Sequence, residues 1–428
     1  MRVLLIAANT ERINMLTLPL GLGLVAAATR RAGHEVTLLD LLTVADPLAA
    51  VRAAIAASKP AVIGISVRNI DDQTHPSPRM LVEPVRDVVA ECRSSSAAPI
   101  VLGGPGFSIF PAEVLALLQA DFGVWGEGEE VFPALIERIA RAEDPRELPG
   151  VLARGEPAPT ERAQVVRLED APLWDDALST SLEPMDPNLW IPLQSRRGCP
   201  NACSYCSTER IQGRSIRTRP ARLVAAQVER LADEGFRRIY FVDNSFNLPR
   251  GYAMQLCQQL ERLRRKVAWR CILYPQYVDA ELVTTMASAG CTEVALGFES
   301  GSPRVLREMN KRYSPDEVRD ASELLRAHGI RRFGFLLLGG PGEDQESVEE
   351  SLRFASSLDL DGLRITVGIR IYPGTPLARR AVADGIIEPN AELLVPRFYL
   401  APGLEPWIHE RVRGVQNLSG ARSSNCSS

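Results

Sequence analysis

The stretch Arg197-Gly198-Cys199-Pro200-Asn201-Ala202-Cys203-Ser204-Tyr205-Cys206 brings three thiols into eight residues, with the spacing C-x3-C-x2-C. The four histidines of the chain all lie far from it in the sequence. A structural zinc site usually takes four Cys or His ligands in two pairs, so a loop with three thiols fits such a site poorly. Three thiolates fit three corners of a [4Fe–4S] cube and leave the fourth iron free to hold a small chelating molecule. The alternatives are three reduced core cysteines, or a zinc site with a distant fourth ligand.

The spacing of Cys199, Cys203 and Cys206, with the aromatic Tyr205 before the last cysteine, resembles that of the radical S-adenosylmethionine (SAM) enzymes. The resemblance implies that these three cysteines ligate a [4Fe–4S] cluster. It also implies that the open iron chelates the amino and carboxylate groups of SAM. Because cleavage of SAM to a 5'-deoxyadenosyl radical consumes an electron, we expect an electron donor such as flavodoxin or ferredoxin.

Length and composition are those of an ordinary globular protein. A chain of 428 residues is long enough for two or three domains. The net charge of -4 and the pI near 5.8 give no reason to expect nucleic-acid binding. Since no run of about twenty apolar residues occurs, we expect no membrane span and a cytoplasmic protein. The remaining cysteines are scattered, which argues against a disulfide scaffold: Cys92, Cys257, Cys271, Cys291 and Cys426.

Residues 1–140 alternate short apolar runs with helical patterns, which predicts a doubly wound parallel sheet. The predicted strands are Arg2–Ala7, Glu35–Leu39, Ala61–Val67, Pro99–Gly103 and Asp121–Trp125. Ligands of such sheets lie beyond the carboxyl ends of the strands. The candidate binding loops are therefore residues 8–18, 68–75, 103–107 and 126–129. No G-x-G-x-x-G sequence opens a first helix, so nicotinamide binding is not supported.

Several strings in this region resemble the cobalamin-binding domain that precedes the radical SAM domain in many enzymes. They are Pro19-Leu20-Gly21-Leu22-Gly23, Ala32-Gly33-His34-Glu35-Val36, Gly64-Ile65-Ser66, Gly103-Gly104-Pro105 and Trp125-Gly126-Glu127-Gly128-Glu129. The resemblance implies cobalamin as a cofactor, with Gly103, Gly104 and Gly126 in the turns that approach it.

The D-x-H-x-x-G signature of cobalamin proteins with a histidine lower ligand is absent. The resemblance therefore implies a cobalt without a histidine ligand. Arg68 would occupy the lower face, as in the tryptophan C-methylating members of the class. The alternative is an Arg68 side chain that pairs with Asp71 or Asp72.

Beyond the first domain, the pattern changes twice. Residues 141–188 are rich in Pro, Glu and Asp and indicate an ordered linker. Residues 189–385 show six further strand and helix units, which suit a partial (β/α)6 barrel of the radical SAM type. In barrels, the chemistry lies at the carboxyl ends of the strands. Residues 386–428 predict a short C-terminal cap (residues 396–409) and a Ser-rich, disordered tail (residues 419–428).

Three strand ends of the predicted barrel carry further candidates for SAM binding. By resemblance to the family, Asp243 contacts the methionine amine. Glu299, helped by Ser300, accepts hydrogen bonds from the ribose hydroxyls. Gly340 lies in a glycine turn that packs against the adenosyl part. The strings Leu306-Arg307-Glu308-Met309-Asn310-Lys311 and Ile371-Tyr372-Pro373-Gly374-Thr375-Pro376-Leu377 also resemble this class, whose members include many C-methylases and an anaerobic porphyrin cyclase.

These resemblances imply a cobalamin-dependent radical SAM enzyme that methylates an unreactive carbon of a small metabolite. The main alternative keeps both cofactors but performs cyclisation, ring rearrangement or oxidation. A third possibility uses the front domain as an empty scaffold. A methylthiotransferase is disfavoured because the front domain lacks an extra cysteine trio. An iron–sulfur regulator or electron carrier is the non-enzymatic alternative, and it predicts cluster redox chemistry without SAM cleavage.

Overall fold

A computed structural model describes residues 1–11, 18–178, 182, 186 and 189–414 of the chain. Part of the predicted loop 8–18, part of the linker 141–188 and the predicted tail 419–428 lie outside these residues. The described residues form two sheets of six strands each, covered by helices.

The first sheet has the strand order β2-β1-β3-β4-β5-β6, and its first five strands are parallel. Alternate residues of the central first strand enter two different cores, because helices cover both faces of the sheet. Leu4 and Ile6 pack on one face, and Val3 and Leu5 pack on the other. The predicted doubly wound fold is confirmed. Its elements are β1 (Arg2–Ala7), α1 (Leu20–Arg31), β2 (Glu35–Asp40), α2 (Pro47–Ser58), β3 (Val62–Ser66), α3 (Glu83–Ser95), β4 (Ile100–Gly103), α4 (Pro105–Ile109), α5 (Pro111–Leu118), β5 (Phe122–Val124), α6 (Gly128–Ala140) and β6 (Val151–Ala153).

The last strand of this sheet, β6, differs from the sequence prediction. It lies in the segment predicted as a linker and pairs antiparallel with β5. Three residues in a proline-rich segment are too few to show a strand period, so only the pairing with β5 identifies the strand. Val151 and Leu152 are buried there and close the edge of the sheet.

The second sheet has the order β14-β13-β12-β11-β10-β7, and all its strands are parallel, as a partial barrel requires. Its six strands match the six predicted for residues 189–385. The elements are β7 (Ile191–Leu193), β8 (Arg196–Arg197), α7 (Thr208–Ile211), β9 (Arg217–Thr218), α8 (Ala221–Asp233), β10 (Arg238–Phe241), α9 (Arg250–Glu261), β11 (Ala268–Leu273), α10 (Ala280–Ser288), β12 (Cys291–Glu299), α11 (Pro303–Glu308), α12 (Pro315–Ala327), β13 (Arg331–Leu338), α13 (Gln345–Ser357) and β14 (Gly362–Val367).

Local sequence signals explain where two of the outer helices begin. Ser314 caps α12 and Asp344 caps α13, each in a capping box with the residue three positions later. Such boxes satisfy two backbone N–H groups that the first turn of a helix leaves without partners. Both helices therefore start at fixed points after the strand ends that face the site.

The segment after β14 folds back over the barrel. It contains β15 (Ile369–Arg370), α14 (Pro376–Ala383) and β16 (Phe398–Tyr399), and β15 pairs antiparallel with β16. Tyr399, Leu404 and Ile408 are buried in the core formed by α11 to α13. This packing agrees with the cap predicted for residues 396–409. Within the described parts of the chain, every helix is too short or too polar to cross a lipid bilayer.

Buried ion pairs join the two domains. Arg197, at the end of β8, lies with its side chain 5% exposed between Glu127 at 3.1 Å and Glu129. Arg217 from β9 also binds Glu127, at 2.6 Å. Burial lowers the pKa of Arg197, but the two glutamates outweigh this effect and raise it. The guanidinium is therefore a permanent charge that holds the first domain against the start of the cysteine loop.

We predict that Arg197→Ala destabilises the protein by about 3–5 kcal/mol, because it leaves the buried carboxylate of Glu129 without its counter-charge, while Glu127 keeps Arg217. The measurement is the urea midpoint of unfolding. Arg264→Ala is the matched control. It removes a fully exposed arginine that pairs with Glu229 and Asp233, so its midpoint should stay close to that of the unchanged protein. Equal midpoints for the two variants would contradict the role of the buried pairs.

Candidate active site

A cavity lies between the two domains, where the carboxyl ends of both sets of strands meet. Its first wall is formed by residues that follow β1, β3, β4 and β5, and its second wall includes Gln194, Arg197, Gln212 and Val242. The four residues predicted to face cobalamin all line this cavity: Arg68, Gly103, Gly104 and Gly126. The position agrees with the rule that parallel α/β sheets bind ligands beyond the carboxyl ends of their strands.

The three glycines of this wall are present for different physical reasons. Gly104 and Gly126 have φ values of 97° and 104°, which disfavour other residues. A Cβ at Gly104 would lie 2.7 Å from the Val67 carbonyl oxygen, and one at Gly126 would lie 2.2 Å from that of Ala163. A Cβ at Gly103 would meet only the Val124 carbonyl oxygen, at 3.9 Å. Gly103 therefore keeps the cavity wall flat, whereas the other two glycines are required by the turns.

Arg68 faces the cavity and does not pair with either of the nearby aspartates. Asp71 forms a buried ion pair with Arg370 at 2.8 Å, and Asp72 pairs with Arg79 at 3.1 Å. The alternative in which Arg68 pairs with Asp71 or Asp72 is therefore wrong. Burial lowers the pKa of Arg68, and Asp40 partly offsets this effect through its charge. Arg68 thus supplies a cation to the first wall.

The cysteine loop is anchored on both sides by main-chain bonds. β8 pairs antiparallel with β9, and the Cys199 N–H donates to the Gly213 carbonyl at 3.1 Å. At the other side, the Ser204 N–H donates to the Met309 carbonyl at 3.0 Å. The Asn310 side chain donates to the Ala202 carbonyl at 2.7 Å. These bonds hold the loop that carries the three sulfurs.

The donor set of the loop fits an iron–sulfur cluster better than a single ion. Cys199, Cys203 and Cys206 are free thiols. One tetrahedral zinc ion with Zn–S bonds of about 2.3 Å would bring its sulfurs to about 3.8 Å from one another. The sulfurs of Cys199, Cys203 and Cys206 do not all lie within 4.8 Å of one another in the described structure. Three thiolates from one loop are the donor set of a [4Fe–4S] cube that keeps one iron open.

Asp243 does not face the cavity. Its side chain is fully buried and accepts hydrogen bonds from the Ser195 N–H at 2.8 Å, the Ser195 hydroxyl at 2.5 Å and the Arg196 N–H at 3.1 Å. Arg196 Nε also lies 3.3 Å from the second carboxylate oxygen. The prediction that Asp243 contacts the SAM amine is therefore not supported. Its carboxylate instead holds the backbone that leads into the cysteine loop.

Glu299 lies at the end of β12 beside the cysteine loop. Its Oε1 accepts a hydrogen bond from Lys311 Nζ at 3.1 Å, and that lysine side chain is only 6% exposed. Lys311 also lies 5.2 Å from the centre of the Tyr205 ring. Burial raises the pKa of Cys203, whereas the charge of Lys311 lowers it. The Glu299–Lys311 pair is thus next to the predicted cluster ligands, where the prediction placed the ribose-binding acid.

The other two predicted SAM residues support turns. Ser300 is fully buried, and its hydroxyl lies 2.9 Å from that of Ser351 and accepts from the Ser302 N–H at 3.1 Å. It is therefore not available to a ribose. A Cβ at Gly340 would lie 2.6 Å from Cε at the flexible end of Met309, so that side chain would have to shift to admit another residue.

A buried carboxylate holds the turn that contains Gly340. Glu343 accepts hydrogen bonds from the N–H groups of Gly339 and, at 2.8 Å, Gly340. Burial raises the pKa of Glu343 to about 7, although these two N–H groups lower it. Its Oε1 is buried and has no described partner.

Sequence reasoning missed three residues of this site as individuals: Arg197, Lys311 and Glu343. Arg197 and Lys311 stand inside strings that carried the family resemblance, and Glu343 follows the glycine turn of Gly340, but none had a role assigned to it. A buried charge becomes visible only through its partner, and these partners come from another domain, another strand end or a backbone turn. The only signal in the sequence was that each is a charged residue in or beside a stretch that resembles the family.

Comparisons with known proteins agree with the two-domain arrangement. The family profile of the B12 binding domain matches residues 7–136, and that of the Radical SAM superfamily matches residues 193–355. Among curated relatives, an uncharacterized methyltransferase of Pyrococcus horikoshii is 26% identical over 90% of this chain and 84% of its own length. The tryptophan 2-C-methyltransferase of Streptomyces laurentii is 23% identical over 88% of this chain and 74% of its own length.

Two solved structures share the fold. The radical SAM methyltransferase TsrM of Kitasatospora setae, with tryptophan and a SAM analog bound, superposes with a TM-score of 0.84 at 22% identity, over 98% of this chain and 89% of that one. The cobalamin-dependent SAM radical enzyme OxsB superposes with a TM-score of 0.75 at 16% identity, over 93% of this chain and 64% of that one. The chain therefore combines a B12-binding domain with a following Radical SAM domain, and it shares the fold of the two solved structures.

Proposed function

We propose that the protein is a cobalamin-dependent radical SAM methyltransferase that acts on an unreactive carbon of a small metabolite. The observation that carries the proposal is the cavity between the domains. The wall with Arg68 and the glycine turns faces a wall that includes Arg197, which stands two residues before Cys199 in the chain. Methyl transfer through two cofactors requires both of them at one substrate, which is a positioning task.

The residues of the chain would divide this task as follows. Cys199, Cys203 and Cys206 would hold three irons of a [4Fe–4S] cluster, and SAM would bind its open corner. Arg68 and Gly103 would face the corrin. When bound, the cluster supplies an electron to SAM, and the corrin carries the methyl group. A small electron-transfer protein such as flavodoxin or ferredoxin would deliver the reducing equivalents.

One face of β13 suggests the character of the substrate. Along β13, Leu336 and Leu338 point into the core beneath the helices. Phe333 and Phe335 alternate with them on the other face of the strand, where Phe333 is half-buried and Phe335 is 41% exposed. An exposed phenylalanine on this face favours a small-molecule substrate with an apolar or aromatic part.

Relatives support methyl transfer over the other outcomes. Tryptophan 2-C-methyltransferase matches over most of both chains. The hopanoid C-3 methylase of Methylococcus capsulatus is 26% identical over 83% of this chain and 67% of its own length. These names concern carbon methylation of quite different molecules, so they support the reaction class and leave the acceptor open.

The test is anaerobic reconstitution of the full chain with iron, sulfide and hydroxocobalamin, followed by incubation with methyl-deuterated SAM, a reductant and trial acceptors that include tryptophan. We expect 5'-deoxyadenosine together with S-adenosylhomocysteine. Cys203→Ala should abolish SAM cleavage and lower the bound iron. Cys92→Ala is the control, because it changes a buried thiol of α3 and should leave both unchanged.

Other outcomes separate the alternatives. Deoxyadenosine without S-adenosylhomocysteine would favour the cyclase-type or oxidising reaction. Failure to retain the corrin would remove cobalamin from the scheme. Cluster redox chemistry without any SAM cleavage would contradict the enzymatic proposal and favour an electron carrier.

Glu299 gives a test of the SAM site itself. We predict that Glu299→Gln weakens SAM binding about tenfold, because hydrogen bonds to a charged acceptor contribute about 1.5–3 kcal/mol and Lys311 loses its counter-charge. The measurement is SAM affinity by anaerobic equilibrium dialysis. Glu293→Gln is the matched control on the same strand, since Glu293 pairs with Arg270 and Arg331 at the opposite end of β12. Equal SAM affinity in the two variants would remove Glu299 from the site.

A further inference from the structure

Three metal-binding side chains converge outside the active site. His75 lies in the loop between β3 and α3, and Glu405 and His409 lie in the segment after β16. His75 Nδ1 is 3.1 Å from His409 Nε2. Glu405 Oε1 is 3.7 Å from His409 Nε2 and 3.8 Å from His75 Nε2. Within the described residues, this is the only group of three such side chains whose ligand atoms lie within 4.8 Å of one another.

The surroundings hold one of these rings in place. The Phe398 ring packs edge-on against His75, with 5.3 Å between the ring centres. Gly368, just after β14, leaves room for the imidazole, since a Cβ there would lie 3.1 Å from His75 Cγ. The side chains of His75 and His409 are only 14% and 23% exposed. The two rings are nearly parallel, at 18°. His75 Nδ1 and His409 Nε2 face each other at hydrogen-bond distance, so one of them donates and the other accepts.

The protonation state suits metal binding. Burial lowers the pKa of His75, and Glu405 raises it only partly, so His75 is neutral at neutral pH. A neutral imidazole is the form that coordinates a metal. At most one proton can lie between His75 Nδ1 and His409 Nε2, and a cation can replace it.

We propose that His75, Glu405 and His409 bind a divalent transition-metal ion such as Zn²⁺. Two imidazole nitrogens with one carboxylate oxygen are a common donor set for zinc. Ligands at about 2.1 Å from one tetrahedral ion lie about 3.4 Å apart. This is close to the 3.1 Å between His75 Nδ1 and His409 Nε2 and to the 3.7 Å between His409 Nε2 and Glu405 Oε1. Water would complete the coordination.

The position of the site indicates what the ion does. Its first ligand comes from the loop that also carries Arg68, and the other two come from the segment that folds over the barrel. That segment contacts the ends of the barrel strands, because the Ala401 N–H donates to the Gly339 carbonyl at 2.9 Å. A bound ion would therefore clamp the loop that carries Arg68 to the segment that folds over the barrel, independently of the reaction.

The experiment is zinc titration of the full chain by calorimetry, with thermal unfolding of the same samples. Variants His75→Ala and His409→Ala remove one ligand each. His328→Ala is the matched control, because His328 bonds to Thr284 on the outer helices and leaves the site intact. Zinc that binds to the cysteine loop is common to all variants, so the difference in zinc binding between the variants reports the new site alone. This difference does not depend on whether the protein catalyses the proposed methyl transfer.

We expect the unchanged protein and His328→Ala to bind one zinc ion in addition to any zinc on the cysteine loop. This ion should raise the unfolding temperatures of both proteins. Loss of an imidazole ligand should weaken binding by at least the 10–100-fold that outer-shell changes cause. Glu405→Gln changes an exposed side chain, so it should keep the fold and weaken binding as well. Equal zinc affinity in the double variant His75→Ala/His409→Ala and in His328→Ala would overturn the proposal.

Discussion

The arrangement of this protein depends on one buried cation. Arg197 is buried between two glutamates of the other domain. A buried guanidinium is stable only when nearby negative charges compensate its own charge. The same residue stands two positions before Cys199. Because Glu127 lies in the turn after β5 and Glu129 in the first turn of α6, the ion pairs fix the cysteine loop relative to the wall that carries Gly126.

Buried ion pairs contribute to this contact beside apolar side chains such as Leu394, which packs with the core of the first domain. An apolar interface of comparable strength would need large side chains at the meeting edges of the sheets. Here the glycine turn at Gly126 and the flat position at Gly103 leave space, while the glutamates beside Gly126 reach across to Arg197 and Arg217. The alternating glycines and acids of the string Trp125–Glu129 therefore have two roles. The glycines leave space in the cavity, and the acids bind the arginines of the second domain.

The strands, and the strand ends that carry candidate site residues, could be predicted from the sequence because both signals are local. Apolar runs marked the strands of both sheets, and turn glycines marked their carboxyl ends. The direction of a side chain at a strand end is not local. Asp243 and Glu299 both follow barrel strands, yet Ser195 and Arg196 consume both oxygens of Asp243, whereas Glu299 pairs with Lys311 beside the cysteines. Only partners that are distant in sequence distinguish the two acids, and the antiparallel β6 was missed for the same reason.

Three of the nine non-glycine residues with a positive φ in the described structure lie beside the cysteine loop. Ala202, Glu299 and Asn310 have φ values of 50°, 58° and 55°, a left-handed conformation that is unfavourable for most residues other than glycine and asparagine. The three are physically connected. The Asn310 side chain binds the Ala202 carbonyl, and Lys311, which follows Asn310, binds Glu299. Such strain persists only where surrounding contacts over-determine it, and it concentrates at functional sites. The cysteine loop, the end of β12 and the turn after α11 therefore act as one rigid unit, which is what an enzyme needs to hold a reactive cofactor in a fixed position.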